Sequence, residues 1–225
     1  MNTFYQMVRL EQRQKLEEGV LKNTLAALGV AGSLLTSPVK GAAPTPPTLT
    51  QESQQGVNLA YHFIKGQENS KQNKKGGWSA QHQKWFPHKS LEGGLPTIGY
   101  GHKLKSTKEL DRFNQGITDT EAEQLLYADI KAAYTSLAQK MAKKKMQIPT
   151  NMYALAMLLD IEFNVRGGID SYPLFLAALN SNNIQGMVDN YRRYAQVKGE
   201  RVEINRSKMF KTALLDPYIK TLPRP

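Results

Sequence analysis

The chain of 225 residues contains no cysteine, which excludes disulfide bonds, thiolate metal sites and a cysteine nucleophile. Histidine is also scarce. The four histidines, His62, His82, His88 and His102, form no HExxH run and no other pairing typical of metal ligands. We therefore expect no metal site, and the absence of cysteine leaves the compartment open.

Acidic residues are in the minority, with 19 Asp and Glu against 30 Lys and Arg, so the net charge is +11. The excess is spread from Lys71 to Lys220 and is not gathered in one tail. Such a charge favours polyanionic partners: nucleic acid, an anionic membrane surface or an acidic cell-wall polymer. A nucleic-acid partner is not expected, because the chain lacks zinc-finger spacing, an aromatic RNA-binding signature and a heptad zipper.

A long hydrophobic run is missing as well. Residues 23–39 (NTLAALGVAGSLLTSPV) are uncharged, but the run is shorter than the about 20 apolar residues that normally span a bilayer. It could be a signal peptide, a weakly hydrophobic membrane anchor or an apolar helix that docks onto a partner protein. Residues 1–22 mix apolar and charged residues at roughly helical spacing, which indicates a short amphipathic helix.

Residues 41–50 (GAAPTPPTLT) are rich in proline and small residues, which is typical of a semi-rigid linker. We therefore predict an N-terminal extension over residues 1–40, a linker over 41–50 and one domain over 51–225. The hydrophobic content of 40% is enough for a packed core.

The domain is predicted to be α+β and mainly α, with one small sheet near its start. Thr50 is expected to cap a helix that reaches Glu68. Residues 68–84 are predicted to form a polar surface loop, and residues 85–104 a region of short strands. Thr118 and Glu121 form a capping box, which predicts a helix from Thr118 to about Lys140.

The later helices are predicted from proline and from capping residues. The expected positions are Pro149 in the first turn of an apolar, buried helix, then Ser171, Asn183 and Asn205 as caps, with the last helix ending before Pro217.

Glu68 is a carboxylate at a predicted helix end, and a glycine-rich hairpin follows it (LEGGLPTIGYGHKL, residues 91–104). This arrangement places an acid on a rigid element beside an open cleft. The glycines are expected to allow a tight turn and a close approach to the backbone. In glycoside hydrolysis one carboxyl group protonates the leaving oxygen, and a second group assists water or stabilises the cationic sugar. Glu68 is the candidate for the first group; the alternative is a solvated glutamate at a helix end.

Four segments in order, TIGYGHKL, GITDTEAEQLLYADI, EFN and NRSK, resemble the phage-type lysozymes over about residues 52–218. The resemblance implies a small β-hairpin lobe joined by a long helix to a helical lobe, with a cleft between them. It also implies a muramidase, a glycoside hydrolase that cleaves the β-1,4 bond between N-acetylmuramic acid and N-acetylglucosamine in peptidoglycan. This chemistry needs no cofactor.

By the same resemblance, Glu68 matches the family acid and Thr97 matches the threonine that holds the attacking water. Arg206 matches an arginine that pairs with the acid and tunes it. Substrate contacts are predicted at three further positions: Lys103, Phe163 and Ser171.

One departure from the family concerns the residue between the acid and the threonine, an aspartate in most relatives. Residues 69–96 separate Glu68 from Thr97, and the position at the family's spacing holds Leu91. Three residues could replace the aspartate: His88, Ser90 and Glu92. Glu92 is favoured as the only carboxylate, and His88 is the only other strong base. A serine could orient a water but would be a poor base. The domain could then be slower, differently selective or inactive, the last being a module that binds glycan without cutting it.

The positive charge suits attraction to an acidic cell wall. The extension suggests either a membrane tether in a bacteriolytic enzyme of host cell lysis or attachment to a phage particle. The expected locations are therefore the virion, in its tail or ejection apparatus, and the host envelope or periplasm. The alternative function is a structural virion component whose lysozyme-like, glycan-binding domain is weakly active or inactive.

Overall fold

The computed structural model describes residues 49–68, 77–89, 96–197 and 200–223. The chain divides into two units, Met1–Pro46 and Pro47–Pro225, and all described residues belong to the second. The extension with its three interpretations lies outside them, so the predicted boundaries at residues 40 and 50 stay predictions. Within the described ranges, no helix is long and apolar enough to cross a membrane.

Helix α1 (Gln51–Gln67) begins as predicted at Thr50, whose hydroxyl accepts a hydrogen bond of 3.2 Å from the Ser53 amide. Its apolar face is fully buried through residues that include Val57 and Phe63. Glu68 is not the last helical residue but the C-cap, with extended backbone, and its N–H donates to the Ile64 carbonyl (2.8 Å). The end of a rigid, buried helix therefore fixes the backbone of this acid.

Four two-residue strands follow. β1 (Trp78–Ser79) pairs with β2 (Lys84–Trp85), and β3 (Thr97–Ile98) pairs with β4 (His102–Lys103), both antiparallel. β1 lies inside the segment predicted to be a loop, so that prediction is wrong there. Trp78 packs edge-on against Trp85 with ring centroids 5.2 Å apart, and such an aromatic pair stabilises a hairpin whose other two strand residues, Ser79 and Lys84, are polar.

Helix α2 (Thr107–Phe113) leads to the long helix α3 (Asp119–Lys143). The predicted capping box is confirmed: the Thr118 hydroxyl accepts from the Glu121 amide (3.2 Å), and the Glu121 carboxylate accepts from the Thr118 amide (2.7 Å). α3 contacts β2 and β4 and also packs against helices α1 and α4. It therefore joins the strands to the helices.

Helix α4 (Met152–Asn164) is apolar and buried, as predicted. Its cap is Asn151, whose side chain accepts from the amides of Tyr153 and Ala154, so the prediction that Pro149 occupies the first turn is wrong. The side-chain oxygen of Asn151 satisfies amides at the start of the helix, and Pro149 lies outside it. α4 packs against α1, α3 and the last helical segment, which makes it the centre of the core.

A 3-10 helix (Gly168–Ser171), α5 (Pro173–Asn180) and α6 (Ile184–Asn190) come next. Asn183 caps α6 as predicted, accepting from the Gly186 amide (2.9 Å). Ser171 caps no helix, contrary to the prediction: its hydroxyl donates to the Arg166 carbonyl (2.7 Å).

The chain then forms a hairpin, β5 (Tyr194–Val197) and β6 (Glu200–Glu203), that the sequence analysis did not predict. Helix α7 (Asn205–Phe210), a π-helical segment (Lys211–Leu215) and α8 (Asp216–Thr221) follow without a break. Asn205 is the first residue of α7 and not its cap, and the helix does not end before Pro217. Pro217 stands in the first turn of α8, where its missing N–H is tolerated.

The predicted fold class, α+β and mainly α, is confirmed by this arrangement. The expectation of a single small sheet is wrong, since three separate strand pairs occur among the described residues.

Candidate active site

The side chain of Glu68 meets Arg206 from the first turn of α7. Arg206 Nη1 donates to Glu68 Oε1 at 2.6 Å. The Glu68 side chain remains 24% exposed, while that of Arg206 is 14% exposed. One carboxylate oxygen is thus tied to a cation, and the group as a whole stays accessible from solvent.

The β3–β4 hairpin lies against the second oxygen of Glu68. Gly101 has φ +90°, and a Cβ added to it would lie 3.5 Å from Glu68 Oε2. Gly99 has φ +61°, but a Cβ there would lie 2.8 Å from the Ala122 Cβ of α3. The two glycines therefore differ: Gly99 allows the hairpin to pack on α3, and Gly101 keeps the backbone beside the acid free of a side chain.

Hydrogen bonds to α3 hold this hairpin in position. The Tyr100 hydroxyl and Trp85 Nε1 both donate to Asp119 Oδ1, at 3.0 and 2.9 Å. Burial, followed by the charge of Asp119, raises the pKa of Tyr100 above its ordinary value. His102 Nδ1 lies 2.8 Å from Asp129 Oδ2, which gives His102 a structural role. Among the residues that the structure describes, no group of His, Asp and Glu could hold a metal ion.

Thr97 and His88 are neighbours on adjacent extended segments. Their backbones form an antiparallel bridge, and Thr97 Oγ1 lies 3.2 Å from His88 Nε2. Thr97 is only 7% exposed. Ser90 and Glu92 lie outside the described residues, so of the three candidates for the family aspartate His88 alone can be placed, and it is placed beside Thr97.

Lys103 stands directly opposite Thr97 in the register of β3 and β4. Residues directly opposite each other in an antiparallel pair project from the same face. Lys103 is exposed. His88, Thr97 and Lys103 thus form a row across three extended segments.

Behind Arg206 lies a buried carboxylate, Asp160, on α4. Arg206 Nη2 donates to Asp160 Oδ1 at 2.6 Å, and Arg193 Nη2 donates to Asp160 Oδ2 at 2.5 Å. Burial by itself lowers the pKa of the Arg206 guanidinium, but the charges of Asp160 and Glu68 outweigh it, and that pKa lies above its usual value. Arg206 is therefore always charged and bridges two carboxylates.

The model of the phage lysozyme family matches residues 80–208, which is more than half of the chain. The chain belongs to the phage lysozyme family. The solved structure of the endolysin from Escherichia coli O157:H7 phage FAHEc1 is 21% identical, covering 78% of this chain and 98% of that chain, with a TM-score of 0.46. No curated protein sequence matches the chain significantly.

Membership of the phage lysozyme family confirms the resemblance and supports a glycoside hydrolase that acts on peptidoglycan, of the muramidase type. The matched segment contains Thr97, Asp160 and Arg206 but begins after Glu68. The assignment of the acid therefore depends on the contacts of Glu68 with Arg206 and with the hairpin.

The two remaining predicted substrate contacts lie on the helical part of this lysozyme-family domain. Phe163 is in the last turn of α4 and is partly exposed. Ser171 is exposed and lines a groove of about 310 Å³ together with Tyr172, Leu174 and Arg192. Because the Ser171 hydroxyl donates to Arg166, it can only accept a hydrogen bond from a sugar hydroxyl.

Asp160 is the residue that the sequence analysis missed. It is a lone acid in the run ALAMLLDI, where every neighbour is apolar. A carboxylate in such a run is buried with the rest of the helix and must then be paired. That signal was present, although it does not identify Arg193 and Arg206 as the partners.

Proposed function

We propose that this domain is a muramidase that hydrolyses the β-1,4 bond between N-acetylmuramic acid and N-acetylglucosamine, with Glu68 as the general acid. The supporting observation is the surroundings of Glu68: one oxygen is bonded to Arg206, the other faces the side-chain-free backbone at Gly101, and the group is partly exposed. A sugar oxygen can approach such a carboxyl group without displacing a side chain.

In the proposed reaction, protonated Glu68 gives its proton to the glycosidic oxygen while the bond from that oxygen to the sugar C1 breaks. Positive charge develops at C1, and the oxygen of a water molecule adds there. The water loses a proton, and both products end in hydroxyl groups. Arg206 stabilises the carboxylate that Glu68 becomes once its proton has left.

We assign the water to Thr97, assisted by His88. His88 Nδ1 lies 3.4 Å from the Phe86 carbonyl oxygen, which can only accept, so the hydrogen of the neutral ring belongs on Nδ1. Nε2 then accepts from the Thr97 hydroxyl at 3.2 Å. The Thr97 oxygen can accept a hydrogen of the water, and the proton that the water loses passes through this hydroxyl to His88. The carboxylate of Glu92, favoured by the sequence, is the competing base.

The setting of the activity is the cell wall of a phage host. The net charge of +11 favours binding to an acidic wall polymer. Residues 1–40 are proposed to tether the domain to a membrane or to a phage particle, at lysis or at infection.

The test measures wall clearing by the full chain on outer-membrane-permeabilised cells, together with the reducing ends released from purified peptidoglycan. Glu68→Gln should lower the rate about 10²–10⁴-fold, the range for loss of a general acid. Glu52→Gln is the matched control, because Glu52 is an exposed acid in the first turn of the same helix, and it should leave the rate unchanged.

His88→Gln and Glu92→Gln, measured side by side, identify the base: the larger loss of rate marks the group that takes the proton of the water. New ends that carry N-acetylmuramic acid are expected. A Glu68→Gln protein that clears walls at the wild-type rate would overturn the assignment.

A further inference from the structure

Asp160 is completely buried in a helix whose other buried residues are all apolar. A carboxylate without charged partners at such a position would cost several kcal/mol. The groups around Asp160 therefore have to explain why a carboxylate occupies this position.

Both oxygens of Asp160 are used. Oδ1 accepts from Arg206 Nη2 (2.6 Å) and Nε (3.1 Å) and from Asn164 Nδ2 (3.0 Å), and Oδ2 accepts from Arg193 Nη2 (2.5 Å). Arg193 directly precedes β5, and Arg206 lies three residues after Glu203, where β6 ends. The base of the β5–β6 hairpin is thus fastened to the core through one carboxylate.

Three of the five guanidinium N–H groups of Arg206 are assigned by these contacts. Two of its nitrogens, Nη2 and Nε, face Asp160, which leaves Nη1 pointing at Glu68. Since a guanidinium is planar and rigid, the position of Asp160 determines the direction from which Arg206 meets the acid.

The charges form a chain: Glu68, Arg206, Asp160, Arg193. With Glu68 ionised the four charges cancel, and with Glu68 protonated the sum is +1. Without the charge of Asp160, the chain would hold two guanidiniums and one carboxyl group, Glu68, and a nearby excess of positive charge favours the ionised form of a carboxyl group. Glu68 would then lose its proton at a lower pH and be unable to donate it.

We propose that Asp160 is a positioning residue of this lysozyme-family domain: it aims Arg206 at Glu68 and offsets the guanidinium charge, so that the acid carries its proton when it meets the substrate. This inference rests on the proposed role of Glu68 as general acid. It assigns to the buried helix α4 a part in catalysis that requires no contact with the sugar.

The variants used below keep all the other ionisable groups on the elements around Glu68. Two of them are paired within the domain, Lys65 with Glu123 at 2.8 Å and His102 with Asp129 at 2.8 Å. The hairpin side adds His88 and Lys103, and on the far side Tyr172 interacts with Arg193. A shift in the titration of Glu68 can therefore be attributed to the chain of four charges.

The test compares two full-length variants that change the charge in opposite directions, Asp160→Asn and Arg193→Gln, by the pH dependence of kcat/KM on peptidoglycan. The alkaline limb of this profile is the pH range in which activity falls because the acid loses its proton. Asp160→Asn should move the alkaline limb to lower pH by about one unit, which is the lower end of the effect of a charge on a neighbouring carboxyl group. Arg193→Gln should move the limb to higher pH. The double variant should lie near the wild type.

The matched control is Glu162→Gln, a nearly buried acid two residues further along the same helix, bonded to Ser136, Lys140 and the Ile169 amide. It should lower thermal stability but leave the limb in place. If Asp160→Asn does not fold, Arg193→Gln, which keeps the Asp160–Arg206 contact, tests the same charge argument.

Titration of the Glu68 carboxyl carbon by NMR in wild type and variants separates this inference from the proposed function. Shifts of opposite sign in an inactive protein would support the charge chain and reject the muramidase assignment. An unchanged Glu68 titration in both variants of a protein that does clear walls would overturn the inference alone.

Discussion

Alanine at Gly101 should impair catalysis with little loss of stability. The added methyl group would lie 3.5 Å from Glu68 Oε2, an ordinary van der Waals contact that requires no movement. It would, however, cover the side of the carboxyl group that faces the hairpin and displace the water or sugar oxygen that approaches there. The variant thus blocks the proposed acid without touching its charge or its partner Arg206.

The change in the free energy of unfolding follows from the backbone conformation at this position. A residue with a Cβ at φ +90° destabilises the folded state by about 1–2 kcal/mol. Alanine also lowers the conformational entropy of the unfolded chain, which offsets about 0.4–1 kcal/mol of this loss. The net loss of about 1 kcal/mol lowers the melting temperature of a domain of this size by about 2–4 °C. We expect kcat/KM to fall at least about tenfold, equivalent to about 1.4 kcal/mol of transition-state stabilisation.

Gly99→Ala in the same motif is the matched control, with the opposite pattern. Its φ is +61°, so the backbone cost is similar, but its methyl group would lie 2.8 Å from the Ala122 Cβ. Overpacking adds about 1–3 kcal/mol, and the fall in melting temperature should be at least about twice that of Gly101→Ala. The activity of the molecules that remain folded should stay near that of wild type.

Thermal unfolding and wall clearing, measured on the same preparations, decide between these outcomes. The rate is normalised to the folded fraction at the assay temperature. A Gly101→Ala protein that clears walls as fast as wild type would show that this face of Glu68 is not where the glycosidic oxygen binds. Equal losses of activity in both variants would mean that the hairpin acts only through its fold.

Two further predictions concern stability. Burial and the neighbouring Glu123, whose carboxylate accepts from the Tyr61 hydroxyl at 3.0 Å, raise the pKa of Tyr61 above its ordinary value of 10.0. Because the folded state holds this proton more tightly than the unfolded state, the free energy of unfolding should fall as the pH rises above about 10. Denaturant titrations at several pH values should show a less steep fall in Tyr61→Phe. Thr118→Ala breaks the capping box and should lower the free energy of unfolding, measured by chemical denaturation, by about 1 kcal/mol. The control is Thr135→Ala in the middle of the same helix, where the hydroxyl bonds the Lys131 carbonyl, and it should leave the free energy of unfolding unchanged. Equal effects of the two variants would contradict the capping argument.

The features that could be predicted from the sequence are those with local causes. Thr50, Thr118 and Asn183 cap helices because a side-chain oxygen within three residues satisfies an amide at the helix start. Where two residues near a helix start could cap it, the sequence does not decide between them. Asn151 caps α4 although Pro149 was expected in its first turn, and Ser171, an expected cap, caps no helix.

The features that could not be predicted depend on contacts between separate segments of the chain. β1 forms because Trp78 meets Trp85, and the β5–β6 hairpin is closed at its base by the Arg193 carbonyl, which accepts from the Ile204 amide at 3.1 Å. Neither contact has a signature in residue type alone. The same holds for Asp160, whose burial could be read from the sequence and whose two arginine partners could not.

The long separation between Glu68 and Thr97 also has a physical explanation in these contacts. Family spacing locates an acid by its distance along the chain from the hairpin, and residues 69–96 remove that constraint here. Glu68 is instead located by the end of α1 behind it and by Arg206, which lies 138 residues away in sequence. Loop length contributes only slowly to the cost of bringing two ends together, so an insertion between them leaves the acid where α1, α4 and α7 place it. The departure from the family's spacing therefore bears on which residue would assist the water under the proposed function, and it leaves the position of Glu68, the proposed acid, unchanged.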